Sequence, residues 1–337
     1  MKRHPVLRFM IRGFLVVVVL LNGIAFMHAW RLTHFVRTGE QAGNLRLSKA
    51  EMLKMLFLGV DLQRPQTAAR PSVPYQVVQL RGDKTLEAWM IRADTAAGKG
   101  TIVLFHGYGG EKSGLLPKAM EFRKMGYHTL LVDFRGSGGS EGVQTTIGVQ
   151  EAGEVKVCYD YLQAQGEKNI HLFGTSMGAV AILKAIHDYG FQPASIFIEC
   201  PFGSMYQTVS ARFRLAGAPS FPLAGLLLFW GGLQNGFWAF SHNPETYAKS
   251  VHCPTLLLYG ECDPKVSRRE IDTIFARLQG PKQLVTYPRA GHESYLLRYR
   301  QKWVNDVSGF LEGMVASPPA PPAEAGQVLQ VERGAQT

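Results

Sequence analysis

Gly174-Thr175-Ser176-Met177-Gly178 is the stretch that most restricts what this chain can fold into. An apolar run, Asn169-Ile170-His171-Leu172-Phe173, leads into it, and a helix-like segment from Ala179 to Tyr189 follows. A serine between two such glycines, at the junction of a strand and a helix, reads as a nucleophile elbow. The glycines allow a turn sharp enough to hold the serine in a strained backbone conformation, its hydroxyl exposed above a sheet. Five residues of this kind recur by chance, so their meaning rests on what surrounds them.

Downstream, Thr255-Leu256-Leu257-Leu258-Tyr259 reads as a buried strand that ends in Gly260 and then Asp263. Gln283 to Tyr287 reads as another strand, followed by Ala290-Gly291-His292-Glu293. Between acid and histidine there is room for one helix, Ser267 to Leu278, which Ser267-Arg268-Arg269-Glu270 opens as a capping box. The order is therefore serine, aspartate, histidine, the last two each just past a strand end. It differs from both well-known protease orders. Asp263 precedes Pro264 and could by itself be a turn aspartate; His292 could be a surface-loop histidine. Behind a serine elbow, the pair reads as the remainder of a Ser176–Asp263–His292 triad. Glu199, at the end of the strand Ala194 to Glu199, is the competing acid.

Thr101 to Phe105 is a continuous apolar run, as a parallel strand covered on both faces requires, and His106-Gly107-Tyr108-Gly109-Gly110 follows it. A turn of this kind places one backbone N–H, that of Tyr108, over the serine, and Met177 supplies a second. Two preorganised donors are what a developing oxyanion needs. His106 reads as a structural residue shaping the turn. The loop Asp133-Phe134-Arg135-Gly136-Ser137-Gly138-Gly139-Ser140-Glu141-Gly142 follows the strand His128 to Val132. It lacks the lysine-serine/threonine ending of a phosphate loop and the spacing of a dinucleotide fingerprint, so a nucleotide role is rejected.

These marks together resemble the α/β-hydrolase superfamily, most closely its serine-aminopeptidase-like and monoacylglycerol-lipase-like branch. They are His106-Gly107, Asp133-x-Arg135-Gly136-x-Gly138-x-Ser140, Gly174-x-Ser176-x-Gly178, Gly260-x-x-Asp263 and Gly291-His292, and they span about residues 73 to 314. The resemblance implies a doubly wound, mostly parallel sheet and serine-hydrolase chemistry needing no metal or organic cofactor. It says little about substrate. Where relatives often carry Val-Pro after the acid loop, this chain has Lys265-Val266-Ser267. At 337 residues there is room for one such domain, expected over 73–315, with appendages.

The first appendage is Phe14 to Trp30, nearly uninterrupted in its apolarity except at Asn22 and long enough to span a bilayer. Residues 1–30 are thus expected to be a tail and membrane anchor, contacting the membrane over 10–30. The alternative is a cleaved signal peptide, because Lys2, Arg3, Arg8 and Arg12 form a positive leader, although a clean cleavage site is missing. That basic tail favours a cytoplasmic N-terminus and an extracytoplasmic catalytic domain, diluted by Arg31, Arg37, Arg46 and Lys49. Residues 31–72 are expected to form a connector containing an amphipathic helix from Leu45 to Leu58. The proline- and alanine-rich segment 316–337 is expected to be disordered.

The net charge of +10 is scattered and carries no nucleic-acid motif; an anionic bilayer is the simpler partner. Cys158, Cys200, Cys253 and Cys262 show no metal spacing. Free thiols are the plain reading, with a Cys200–Cys262 disulfide as the alternative. Finally, residues 201–250 form an insert where this fold carries a cap. Phe221 to Trp230 and Gly236 to Phe240 make it unusually apolar but too short to cross a bilayer. Either it packs on the core, or it forms an acyl-binding wall or membrane-leaning lid. The leading expectation is a membrane-anchored carboxylic-ester hydrolase acting on a small-molecule or lipid-like acyl substrate. A peptidase or amidase with the same triad and a non-catalytic binding protein are the alternatives.

Overall fold

A computed structural model describes residues 5–37, 49–95 and 98–316. The first four residues, the beginning of the connector helix expected from Leu45, and the proline-rich segment beyond 316 lie outside the described residues. In chain order the elements are α1 (Pro5–Thr33), α2 (Lys49–Leu58), β1 (Tyr75–Arg81), β2 (Thr85–Ile91), β3 (Thr101–Phe105), α3 (Leu116–Lys124), β4 (His128–Val132), α4 (Glu151–Ala164), β5 (Ile170–Thr175) and α5 (Met177–Tyr189). There follow β6 (Ser195–Glu199), α6 (Met205–Leu215), α7 (Leu223–Gln234), α8 (Pro244–Tyr247), β7 (Thr255–Gly260), α9 (Arg268–Arg277), β8 (Lys282–Tyr287), α10 (Tyr295–Arg298) and α11 (Arg300–Ala316).

The strands make one eight-stranded sheet in the order β1-β2-β4-β3-β5-β6-β7-β8. β1, β2 and β4 pair antiparallel, and β4 through β8 run parallel. Helices cover both faces, which is why the central strands are apolar at successive positions instead of alternating. In β3, Val103 and Phe105 point to the face packed by Val155 of α4 and Ile182 of α5. Ile102 and Leu104 point to the other, where Phe122 of α3 and Trp303 of α11 lie. Phe122 touches the rings of Phe173, Phe197 and Trp303 at centroid separations of 5.8, 5.7 and 5.5 Å. α9 begins at a capping box: the Glu270 carboxylate accepts from the Ser267 N–H at 2.8 Å and from its hydroxyl at 2.7 Å.

The N-terminal segment departs from the expected division at residue 30. α1 continues to Thr33, and its 29 residues span about 43 Å, more than the roughly 30 Å hydrocarbon core of a bilayer. Its first half is an exposed apolar rod, with Phe9, Phe14 and Val19 facing outward. From Asn22 onward it packs on the cap. Trp230 Nε1 donates to Asn22 Oδ1 at 3.1 Å, and Gln234 Nε2 donates to the Phe26 carbonyl at 2.9 Å. Ala25 and Ala29, one turn apart, are buried, and a methyl added to Gly231 would sit only 3.8 Å from Ala29 Cβ. Small residues on both helices permit that close approach.

The connector is likewise fastened to the domain. Arg31 pairs with Asp61 at 2.6 Å, and Arg64 donates to the carbonyls of Gly138 at 2.8 Å and Gly142 at 3.2 Å. The described part of the connector helix, α2, leaves Phe57 and Leu58 exposed. Phe122→Ala should remove about 3–5 kcal/mol of unfolding free energy, read by denaturant titration, because a four-ring cluster cannot collapse into the void.

Candidate active site

The Ser176 elbow is built by close approach. Ser176 sits at φ 52°, ψ −110°, a region a side-chain-bearing residue seldom occupies. A Cβ on Gly178 would lie 2.4 Å from the Phe105 carbonyl, and one on Gly174 would lie 2.5 Å from the Ala179 nitrogen. Both positions therefore exclude any larger residue. The Ser176 N–H donates to the Glu199 carbonyl at 2.8 Å, tying the turn to the end of β6.

Ser176, His292 and Asp263 lie in one hydrogen-bonded line. The His292 Nε2 is 3.1 Å from Ser176 Oγ, and its Nδ1 is 2.7 Å from Asp263 Oδ2. Asp263 Oδ1 accepts from the N–H groups of Lys265 at 2.8 Å and Val266 at 3.0 Å, and the carboxylate is wholly buried. Because a carboxylate only accepts, Nδ1 keeps its proton, and it is Nε2 that is bare toward the serine when the ring is neutral. Burial favours that neutral form, but the Cys200 sulfur and the Asp263 carboxylate outweigh it and raise the His292 pKa to about 10.

The competing acid is placed elsewhere. Glu199 lies beneath the elbow, with Lys118 Nζ at 2.9 Å and Trp303 Nε1 donating at 2.9 Å. Cys200 and Cys262 are unpaired thiols, one buried and the other exposed, the Cys262 thiol donating to the Pro288 carbonyl at 3.3 Å. Cys200 instead lies beside the Ser176–His292–Asp263 line: its sulfur is within 4.8 Å of ligand atoms of both Asp263 and His292. It does so because its backbone turns left-handed at φ 42° directly after β6. Nothing in the sequence around Cys200 signals that turn.

The His106–Gly110 turn rests against the elbow, since a Cβ on Gly107 would be 3.6 Å from Ser176 Cβ. His106 holds the turn as a buried neutral ring: its Nδ1 donates to the Gly107 carbonyl at 2.8 Å, and its Nε2 accepts from the Phe134 N–H at 3.1 Å. Burial lowers its pKa accordingly. Among the described residues, neither the Tyr108 nor the Met177 N–H donates to a protein acceptor. The Tyr108 side chain points away, donating from its hydroxyl to the Leu32 carbonyl at 2.6 Å, and burial raises its pKa to about 12. The Asp133–Gly142 loop is filled by its own contacts, Asp133 pairing with Lys112 and accepting from the Gly139 N–H at 2.8 Å.

A second turn, absent from the sequence reading, completes the surroundings. The buried Glu151 carboxylate accepts from the hydroxyls of Thr145 at 2.7 Å and Thr146 at 2.6 Å, and from the N–H groups of Thr146 and Gly148 at 2.9 Å each. It holds Ile147 at φ 58°. Thr145 Oγ1 lies 3.5 Å from Met177 Sδ, and the Thr145 N–H donates to the Thr33 carbonyl at 2.9 Å. The elbow, this turn and the end of α1 are thus in direct contact.

Comparison with known proteins agrees with this architecture. A protein of Bacillus subtilis described as uncharacterized protein YqkD is 25% identical over 218 residues, covering 64% of this chain and 72% of its own. Lysophosphatidylserine lipase ABHD12 of Macaca fascicularis is 23% identical over 264 residues, covering 66% of this chain and 62% of its own. Among solved structures, the Pyrococcus furiosus esterase Pf2001 superposes with a TM-score of 0.60 at 21% identity, over 74% of this chain and 98% of that one. Est1E from Butyrivibrio proteoclasticus, with ferulic acid bound, gives 0.58 at 15%, over 71% of this chain and 100% of its own. At such identities these structures speak to the fold. The model of the alpha/beta hydrolase family matches residues 102–307, more than half of the sequence, and the chain belongs to that family.

Proposed function

We propose that this protein is a membrane-anchored serine hydrolase that cleaves carboxylic esters with an apolar acyl group. The observation that carries the proposal is the Ser176–His292–Asp263 line, set on a strained elbow facing the Gly107–Tyr108 turn. Ser176 Oγ attacks the acyl carbon while His292 Nε2 takes its proton, and Asp263 keeps the ring in the reactive tautomer and stabilises its charged form. The N–H groups of Tyr108 and Met177 receive the oxyanion. His292 then protonates the leaving alcohol, and a water deprotonated by His292 releases the acid from the acyl-enzyme.

Support for an ester of this kind comes from the cap and from the relatives. The cap exposes Phe221, Phe229, Leu233 and Trp238, and the names of the similar proteins include a lipase and esterases. An aminopeptidase would be favoured by an acid free to hold the substrate's terminal amine. Glu245, the clearest acid of the cap, already has Arg277 at 3.6 Å and Gln207 Nε2 donating at 3.4 Å. α1 is apolar and long enough to serve as the anchor, and the basic residues near its start favour a cytoplasmic N-terminus with the hydrolase domain across the membrane.

Ser176→Ala and His292→Ala, in the full chain in detergent, should each lower kcat/KM for a para-nitrophenyl ester by at least about 10³-fold. Retention of turnover in Ser176→Ala would defeat the proposal. The pH profile has a definite sign. His292 accepts the serine proton only when neutral, and its raised pKa means that neutrality is lost as pH falls from the alkaline range. The ascending limb of kcat/KM should therefore lie well above 6.5, and Cys200→Ala should move it to lower pH. A limb at or below 6.5 in the wild type contradicts this electrostatic picture.

A further inference from the structure

An apolar cavity of about 50 Å³ lies where α1, α7 and the Ile147 turn meet, lined by Ala29, Leu32 and Thr33 from α1, Leu228 and Gly231 from α7, and Ile147. That volume admits roughly four water-sized groups. Its walls reach the two residues proposed as oxyanion donors only through their side chains, the Tyr108 hydroxyl and the Met177 sulfur. Leu32 is held by the Tyr108 hydroxyl at 2.6 Å, and Ile147 belongs to the turn whose Thr145 lies 3.5 Å from Met177 Sδ. The seam between α1 and α7 leads outward between large apolar side chains. Phe26 and Trp30 of α1 are 41% and 47% exposed, and Phe229 and Leu233 of α7 are 41% and 63% exposed. Phe26, Trp230 and Phe229 are in continuous ring contact, at 5.3 and 5.2 Å. An exposed apolar surface of this kind marks a ligand groove or a membrane contact.

We propose that this cavity is the inner end of an acyl-chain groove whose one wall is α1, so that a membrane-resident ester reaches Ser176 laterally along the helix that anchors the protein. The inference rests on the serine-ester reading above. Its occupant follows from three features of the groove. The lining offers almost only carbon, so it suits a hydrocarbon chain and no charged or polar group. The cavity holds only the first few methylenes, so a long chain leaves by parting α1 from α7 along their close contact at Ala29 and Gly231. The seam continues into the exposed apolar half of α1, where a bilayer would receive the remainder of the chain. α1 is therefore part of the specificity-determining machinery, and the chain it selects is one longer than the cavity.

The test uses the full chain in phospholipid nanodiscs and compares kcat/KM for hexadecanoyl and butanoyl esters of one alcohol. In Gly231→Leu and Ala29→Leu, which place a branched side chain in the groove, the hexadecanoyl-to-butanoyl ratio should fall tenfold or more. An unchanged ratio overturns the inference. Should either variant fail to fold by thermal melting, Ser176→Ala carrying an otherwise native groove is cross-linked with a diazirine-tagged hexadecanoyl ester in the same nanodiscs. Cross-links in peptides containing residues 29–33 and 227–232 are expected; cross-links confined to other surfaces overturn the inference. Turnover of the butanoyl ester by the wild type with no preference for the longer chain defeats the groove and leaves the hydrolase reading standing. Turnover of neither ester, together with no fluorophosphonate labelling, defeats both.

Discussion

The strained turn at Ser176 is the constraint on which the rest of this site depends. A residue held at positive φ costs of the order of 1–3 kcal/mol and persists only where its surroundings allow nothing else. Here the surroundings are the Phe105 carbonyl packed against Gly178 and the Glu199 carbonyl accepting the Ser176 N–H at 2.8 Å. Glu199 is in turn fixed by Lys118 from α3 and Trp303 from α11, so both helices on one face of the sheet brace the elbow. Removing one partner from such a buried ion pair typically costs 3–5 kcal/mol. The carboxylate that competes with Asp263 in the sequence thus works as the foundation of the Ser176 turn.

A second consequence concerns α1. A helix that served only as an anchor would be joined to the domain by a loose connector. Instead Asn235, just past α7, donates to the Gly231 carbonyl at 2.7 Å and to Thr33 Oγ1 at 3.3 Å, clamping the end of α1 to the cap. Tyr108 joins the same helix end to the His106–Gly110 turn through the Leu32 carbonyl. α1, the cap and the proposed catalytic turns are thus mechanically one unit.

Much of the sheet was legible in the sequence because strands covered on both faces must be largely apolar along their length: β3 and β7 are after their first threonine, and β5 and β6 depart from it at His171 and at Ser195 and Glu199. The three residues of the Ser176 line were legible for a related reason: each follows a strand end, where this fold gathers polar groups. The choice between Asp263 and Glu199 needed register. Glu199 pairs opposite Thr175 within the sheet, whereas Asp263 lies past the end of β7 in the loop that meets His292. Local pattern could not reveal the α1–α7 contact, since Asn22 and Trp230 are 208 residues apart and an apolar helix bound for a bilayer looks like one bound for a cap. Cys200 is the free thiol of the plain reading, but its place beside His292 was not legible, for a backbone reason. Only its left-handed φ turns the sulfur toward His292 and away from Cys262.

The central claim is that Ser176, activated by His292, is the nucleophile of this protein. Incubating the full chain in detergent with a fluorophosphonate and mapping the adduct by peptide mass spectrometry tests it most directly. The account predicts one phosphonyl group, located on Ser176, with its formation abolished in His292→Ala. A well-folded chain that remains unmodified, or one modified at another residue, would contradict it.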